Sequence, residues 1–258
     1  MIKIILNGCN GRIGKAIQRL VAKRDDMQIV AGVDIQADRS NLEAGAGFPV
    51  FEKIADVDCA ADVIVDYSHH STVNAITEAA ISRTIPLVIA TTGHTEEEKQ
   101  IIARAAEQVA VFHTGNMSIG INLLMALAKK AAAALGADYN VEIIEKHHNQ
   151  KLDAPSGTAL MLANAVASAE PYDAKYVYER QSSRRARCAE EIGIHSVRGG
   201  NIVGEHEVIF AGENEIITLS HSASSRELFA NGTVRAAEFI IKKSAGLYDM
   251  SDCLDALL

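Results

Sequence analysis

The residues from Lys3 to Gly14 read K-I-I-L-N-G-C-N-G-R-I-G, and the fold class follows from them. Lys3 to Asn7 is a short apolar run stopped by a glycine, which suits a strand buried on both faces of a parallel sheet. The turn Gly8-Cys9-Asn10-Gly11-Arg12-Ile13-Gly14 leads into a segment with Ile17, Leu20 and Val21 at helical spacing. Strand, glycine-rich turn and helix, in that order, is the context a dinucleotide fingerprint requires. Gly8 allows a tight turn, Gly11 a close approach of backbone to a pyrophosphate, and Gly14 close packing of helix on strand. Asn10 stands where a strict G-x-G-x-x-G would have its second glycine. A second strand, Gln28 to Val33, ends in Asp34, twenty positions after Gly14, where a carboxylate accepts hydrogen bonds from an adenosine ribose. Nucleotide contacts are therefore expected from Gly8, Cys9, Asn10, Gly11, Arg12, Ile13 and Asp34. Asp34 repels a 2′-phosphate and is followed by Ile35, not by a basic residue, so NADH is the expected cofactor. Arg39 is near enough in sequence to keep NADPH open.

Further strands and helices alternate beyond this unit. Asn41 to Ala61 reads as loop, with a short strand at Val50-Phe51. Asp62 to Asp66 is another buried-strand candidate, and Tyr67-Ser68-His69-His70 follows at its carboxyl end, where open α/β sheets bind ligands. No acid accompanies His69 and His70 at useful spacing, so they read as loop residues near the cofactor. A helix from Thr72 to Ile81 precedes the strand Leu87 to Ala90. Thr95, with Glu98 three positions on, forms a capping box at the next helix. Val109 to Phe112 is a fifth strand, and Ile119 to Leu135 a helix at whose start the domain boundary falls.

The chemistry concentrates at Glu145 to Ala159, E-K-H-H-N-Q-K-L-D-A-P-S-G-T-A. Tyr139 to Glu145 alternates as a strand, and Thr158 to Ala167 is rich in Ala, Leu and Met, as a helix is. The polar cluster thus sits on a strand-to-helix connection, with Ser156 as the helix N-cap. A helix N-terminus presents unpaired N–H groups that bind a carboxylate or phosphate. If the strand runs through His147 and His148, the two rings point to opposite faces and play different parts. Lys151 adds a charge on a flexible stem. Together these residues suit an anionic substrate, a proton donor and a charge stabiliser.

The composition agrees. Of 258 residues 48% are hydrophobic and none is Trp, which suits an α/β protein with a sizeable core. A net charge of −8 argues against nucleic acid as a partner. Cys9, Cys59, Cys188 and Cys253 are scattered without C-x-x-C spacing, so free thiols and no metal site are expected. No signal-peptide build and no apolar run of about 18 residues is present, so the reading is a cytoplasmic protein without membrane contact.

The whole Glu145–Ala159 string resembles the signature of the dihydrodipicolinate reductase family, E-x-H-H-x-x-K-x-D-A-P-S-G-T-A, with every fixed position filled. Ala90-Thr91-Thr92-Gly93 resembles that family's G-T-T-G turn beside the nicotinamide, with Ala90 replacing the first glycine. Thr114-Gly115-Asn116-Met117-Ser118 resembles its A-P-N-F-S cofactor turn, though only Asn116 and Ser118 match. The stretch R-G-G-N-I-V-G-E-H-E-V-I-F-A-G from Arg198 and the element Ala223-Ser224-Ser225-Arg226 also match. The resemblance implies NAD(P)H-dependent reduction of a cyclic dicarboxylic imine to tetrahydrodipicolinate, on the diaminopimelate route to lysine, by a homotetramer. It places His147 or Lys151 as proton donor, His148, Ser156, Gly157 and Thr158 on the substrate, and Ala90, Thr91, Thr92, Thr114, Gly115, Asn116, Met117 and Arg226 at the cofactor. It divides the chain into a Rossmann-type parallel-sheet domain for the dinucleotide, 1–117 plus 227–258, and an α+β domain for substrate and oligomerisation, 118–226, with a mostly antiparallel sheet. In that second domain Glu205 and His206 lie in strands and are expected to make structural hydrogen bonds or subunit contacts. The Arg180, Arg184, Arg185 and Arg187 cluster reads as a mobile solvated loop.

Two other classes fit less well. A semialdehyde-type dehydrogenase needs a nucleophilic cysteine near the domain junction, and none of the four stands there. A nucleotide sensor on the same fold has no need of His147 and Lys151 beside an anion turn.

Overall fold

The structure is a computed structural model that describes residues 1–35 and 47–256. Arg39 and the first six residues, 41–46, of the expected loop from Asn41 to Ala61 lie outside the described residues. The chain forms two compact units, Met1–Ile119 with Arg226–Leu258, and Gly120–Ser225.

The first unit is built on seven strands: β1 (Ile2–Asn7), β2 (Met27–Val33), β3 (Val50–Phe51), β4 (Val63–Asp66), β5 (Leu87–Ile89), β6 (Ala110–His113) and β12 (Gly246–Tyr248). They are ordered β12-β6-β5-β4-β1-β2-β3, and all their pairings are parallel. The order reverses at β1, so the loops at its carboxyl end open a crevice of the kind that binds nucleotides. Helices α1 (Arg12–Val21), α6 (Glu227–Ile240) and α7 (Met250–Asp255) bury one face of the sheet through Ile17, Val21, Val234, Ile240 and Met250. Helices α2 (Val73–Arg83) and α3 (Glu96–Ala106) bury the other through Ile76, Ala80 and Ile102. A sheet covered on both sides explains why its strands are continuously apolar. Helix α3 begins with the expected capping box of Thr95 and Glu98. Strand β12 was not expected; Gly-Leu-Tyr is too short to show a period of its own and gains its identity from pairing with β6.

The second unit has a five-stranded sheet of β7 (Asn140–His147), β8 (Lys175–Val177), β9 (Glu191–Arg198), β10 (Gly204–Ala211) and β11 (Ile216–Ala223), ordered β11-β10-β7-β9-β8. A hairpin at Gly212 to Asn214 joins β10 to β11. This sheet is mixed where a mostly antiparallel one was expected. The β10–β11 and β7–β10 pairs are antiparallel, and the β7–β9 and β8–β9 pairs are parallel. The reason is α5 (Gly157–Ala167), a helical crossover between β7 and the strands that follow, and crossovers of that kind generate parallel neighbours. Its residues Ala159, Leu162, Ala163 and Val166, at helical spacing, pack on the sheet with Ile121, Leu124, Ala128 and Ala132 of α4 (Ile119–Leu135).

Helix α4 with its final turn, Ile119–Asp138, has the length and mean hydropathy (1.4) of a membrane span by composition alone, although Asn122, Lys129 and Lys130 break its apolar run. Its buried stripe of Ile121, Leu124, Ala128 and Ala132 faces the core of its own unit, and Lys129 and Lys130 are exposed. The arginine cluster after β8 is also corrected. Arg180 pairs with Glu191 at 2.6 Å and Glu142 at 2.7 Å, Arg185 with Glu191 at 2.7 Å, and Arg187 with Glu142 at 3.3 Å. Acids from two neighbouring strands hold the loop, which no local reading of its charge could show.

Candidate active site

In the first unit the candidate residues gather around the carboxyl ends of β1, β2, β4 and β5. Gly8 has φ +80°, and a Cβ there would meet the Tyr67 carbonyl oxygen at 2.4 Å. A Cβ on Gly14 would meet the Gly8 carbonyl oxygen at 2.3 Å, so helix and turn touch through backbone alone. Gly11 is the N-cap of α1 and offers no side chain to its amides, which leaves the helix start dressed for an anion. Asp34 follows β2 and its carboxylate accepts the Asn10 N–H at 3.1 Å, which ties that strand end to the glycine turn. A cavity of ≈ 930 Å³ is lined by Gly8, Gly11, Asp34, Tyr67, Ser68 and Thr72 among others. Backbone-only packing, an uncapped helix start and a carboxylate at the next strand end fit a dinucleotide. Cys9 and Met117 contribute differently from Asn10 and Gly11, since both side chains are buried in the core. Burial pushes the Cys9 thiol up to about 11, so it is inert as a nucleophile.

Asp66 holds these loops together. It is fully buried at the end of β4 and accepts hydrogen bonds from Asn7 Nδ2 (2.7 Å), Ser68 Oγ (2.5 Å), Ser68 N–H (3.2 Å) and Thr91 Oγ1 (2.6 Å). Burial raises its carboxyl above the usual range, against those hydrogen bonds. Thr91 is thereby pinned under the turn of Ala90 to Gly93, while Thr92 is exposed. Thr114 and Asn116 brace their turn, with Asn116 Oδ1 accepting the Ser118 N–H at 2.8 Å and Gly115 exposed. A Cβ on Gly232 of α6 would lie 1.7 Å from the Met117 carbonyl oxygen, so glycine sets how closely that helix meets the turn. Arg226 is exposed at the start of α6.

Of the two loop histidines, His70 has an acid partner that the sequence spacing did not show, while His69 Nδ1 meets Ser71 Oγ at 2.9 Å. His70 Nδ1 lies 2.8 Å from a carboxylate oxygen of Glu98, which the fold brings from the first turn of α3. The His94 and His113 rings meet edge to face at 5.3 Å, and burial lowers His113 to about 4.

In the second unit, β7 ends at His147, and His148 already starts the turn. Period-two alternation puts Val141, Ile143, Glu145 and His147 on the helix-covered face. Glu145 is fully buried there. Its Oε2 lies 2.6 Å from His147 Nδ1 and accepts Arg198 Nη1 at 2.8 Å. Its Oε1 accepts Arg198 Nη2 at 2.7 Å and the Ser156 N–H at 3.1 Å. Burial opposes the charge, but the hydrogen bonds from Arg198 and His147 outweigh it and hold the carboxyl at about 2. Burial lowers His147, partly countered by Glu145.

Ser156 is the N-cap of α5, accepting the Ala159 N–H at 3.1 Å, as expected. Its hydroxyl also meets His206 Nε2 at 3.2 Å. Both its polar groups are therefore engaged within the protein, and Gly157, exposed with open space around its Cα, leads the helix. His206 is buried, its ring edge-on to His147 at 5.2 Å, and burial lowers it to about 4. Lys151 pairs with Asp153 at 2.9 Å, and its loop is held by Asn149 N–H on the Gly200 carbonyl. Glu205 pairs with Lys146 at 3.2 Å across the sheet, a structural part. Sequence reasoning gave no part to Glu145, Arg198 or Asp66. Glu145 was findable, since a residue two before His147 shares its strand face; Arg198 is 53 positions away, and nothing local links them.

Comparison with known proteins agrees with this layout. Residues 2–117 match the model of the dihydrodipicolinate reductase N-terminus and residues 120–254 that of its C-terminus. The chain is 47% identical over 252 residues to 4-hydroxy-tetrahydrodipicolinate reductase of Caldanaerobacter subterraneus, covering 98% of each chain. It is 44% identical over 254 residues to the enzyme of the same name from Clostridium tetani, covering 98% of this chain and 97% of that one. A dipicolinate-bound dihydrodipicolinate reductase from Paenisporosarcina superposes with a TM-score of 0.81 at 30% identity, over 96% of this chain and 97% of that one. A myo-inositol dehydrogenase from Corynebacterium glutamicum, at 17% identity and TM-score 0.61, shares the fold. On both family models and on whole-length relatives, the chain belongs to the dihydrodipicolinate reductase family.

Proposed function

We propose that this protein is a cytoplasmic 4-hydroxy-tetrahydrodipicolinate reductase that forms tetrahydrodipicolinate for diaminopimelate and lysine synthesis, with NADH preferred over NADPH. The observation that carries the reading is the cluster in the second unit: His147 on a buried carboxylate, with Lys151 on the adjoining turn and a helix N-terminus opening at Gly157. The nicotinamide, when bound, supplies the hydride that reduces a ring carbon of the unsaturated dicarboxylic substrate. The chain's own residues supply the rest. Gly8 to Ile13 hold the pyrophosphate on the α1 N-terminus, Asp34 reads the ribose, and the turns at Ala90 to Thr92 and Thr114 to Met117, with Arg226, border the nicotinamide. Ser156, Gly157 and Thr158 cradle a substrate carboxylate, with Ser156 acting through the helix start it caps. His148 contacts substrate. His147 gives the proton and Lys151 stabilises the negative charge that develops, or the two exchange these parts. The unit of residues 118–226 carries the substrate and, through the sheet face bearing Ile144 and Ile209, a homotetramer.

A coupled assay tests the reading. A synthase makes the substrate in place from pyruvate and aspartate semialdehyde, and oxidation of NADH and, separately, NADPH is followed by absorbance. Substrate-dependent oxidation is expected with both, faster with NADH. Folded, nucleotide-binding protein that oxidises neither would sink it.

A further inference from the structure

We propose that Glu145 is a positioning residue that holds the His147 ring and the start of α5 in one working arrangement, with Arg198 as its clamp. The inference rests on the imine-reductase reading above and deepens it.

One buried carboxylate joins His147, Arg198 and Ser156. Oε2 takes His147 Nδ1 and one arginine nitrogen; Oε1 takes the Ser156 N–H and the other. The bidentate arginine fixes the carboxylate plane, so neither oxygen can turn towards one partner without leaving the other. An ionised carboxylate only accepts, so Nδ1 of His147 carries a proton and Nε2 is the atom left to exchange one with a ligand. The Nε2 side is kept clear by Gly204 at the start of β10, where a Cβ would lie 3.1 Å from that nitrogen. The same carboxylate anchors the residue that caps α5, so proton donor and anion cradle are set by one group.

The groups facing His147 are Glu145 on its own strand, Lys151 from the following turn, Arg198 from β9 and His206 from β10. Glu145 is the one anion among them, and it favours the imidazolium that a proton donor must be. In the reduction, the protonated ring gives its Nε2 proton to the substrate atom that gains negative charge on hydride addition. The ring is left neutral with Nδ1–H still on Glu145. Hydride and proton together saturate one double bond, and the nicotinamide is oxidised.

The test is the pH profile of kcat for Glu145→Gln, which keeps the shape and loses the charge. Losing an opposite charge at hydrogen-bond distance lowers a pKa by about 1–3 units. The alkaline limb should therefore move at least about one unit towards acid, with kcat down roughly tenfold or more at pH 7.5, recovery at lower pH and a smaller change in KM. An unmoved limb, with equal loss at every pH, overturns the proposal and leaves Glu145 a structural residue. Wild-type protein that oxidises neither cofactor would instead overturn the underlying reading. If the variant does not fold by circular dichroism, nitrogen-15 NMR of the His147 ring in the wild-type protein decides. A proton on Nδ1 at neutral pH supports the proposal, and one on Nε2 alone overturns it.

Discussion

Asp66 and Glu145 are both fully buried carboxylates next to candidate site residues, and they are built in opposite ways. Asp66 is surrounded by neutral donors, Asn7, Ser68 and Thr91, and burial raises it. Glu145 is clamped by an arginine and held at about 2 in spite of its burial. The difference follows what each side handles. On the reading proposed above, the nucleotide would be held mainly by backbone amides and glycine turns, and the polar knot around Asp66 holds three loops in register. The other side has to hold an ionisable ring in one orientation, which takes a fixed charge.

The comparison can be broken most directly at the chemistry. His147→Gln should lower kcat by roughly 10²–10⁴ with the fold intact by circular dichroism; a loss of only a few-fold would remove His147 from proton transfer. Next is the clamp. Arg198→Met leaves a buried carboxylate without its cation and should cost about 3–5 kcal/mol by urea unfolding. The pH dependence has a definite sign. Glu145 lies below its ordinary 4.5, so its stabilisation is complete above that value and is lost as pH falls towards about 2. Acid titration of wild-type stability should show this loss, and Arg198→Met should show little of it. Asp66 runs the other way: its carboxyl is raised, so its ionisation on going up through the acid range costs stability.

A milder change separates the two sides further. Thr91→Val removes one neutral donor from Asp66 and should cost about 1–3 kcal/mol, less than loss of the arginine clamp. If both variants cost the same, the contrast between a neutral knot and a charged clamp fails. The smallest effect is expected at Asp34. Asp34→Ser should shift the ratio of NADH to NADPH rates towards NADPH by about tenfold, about 1.4 kcal/mol, with the His147-dependent step unchanged. An unchanged ratio would take cofactor preference away from this position.

Much of the site could be read locally because its parts are local. The positive φ of Gly8, the close contact of Gly14 with Gly8 and the Ser156 cap each depend on neighbours within a few residues, and backbone sterics and capping act over that range. The misreadings share another cause. His70 finds Glu98, and the arginine loop finds Glu142 and Glu191, each through partners set by packing.

The sequence by itself determined the alternation of strands and helices, the glycine turn after β1, and the set of polar groups from His147 to Thr158, because periodicity and turn chemistry are short-range. Only the tertiary structure decided that β12 joins the first sheet and that the second is mixed. It also decided that Arg198 reaches across 53 positions to clamp Glu145 beneath His147. Strand pairing and the pairing of a buried charge are settled by which surfaces must leave water together, and that is a property of the assembled core.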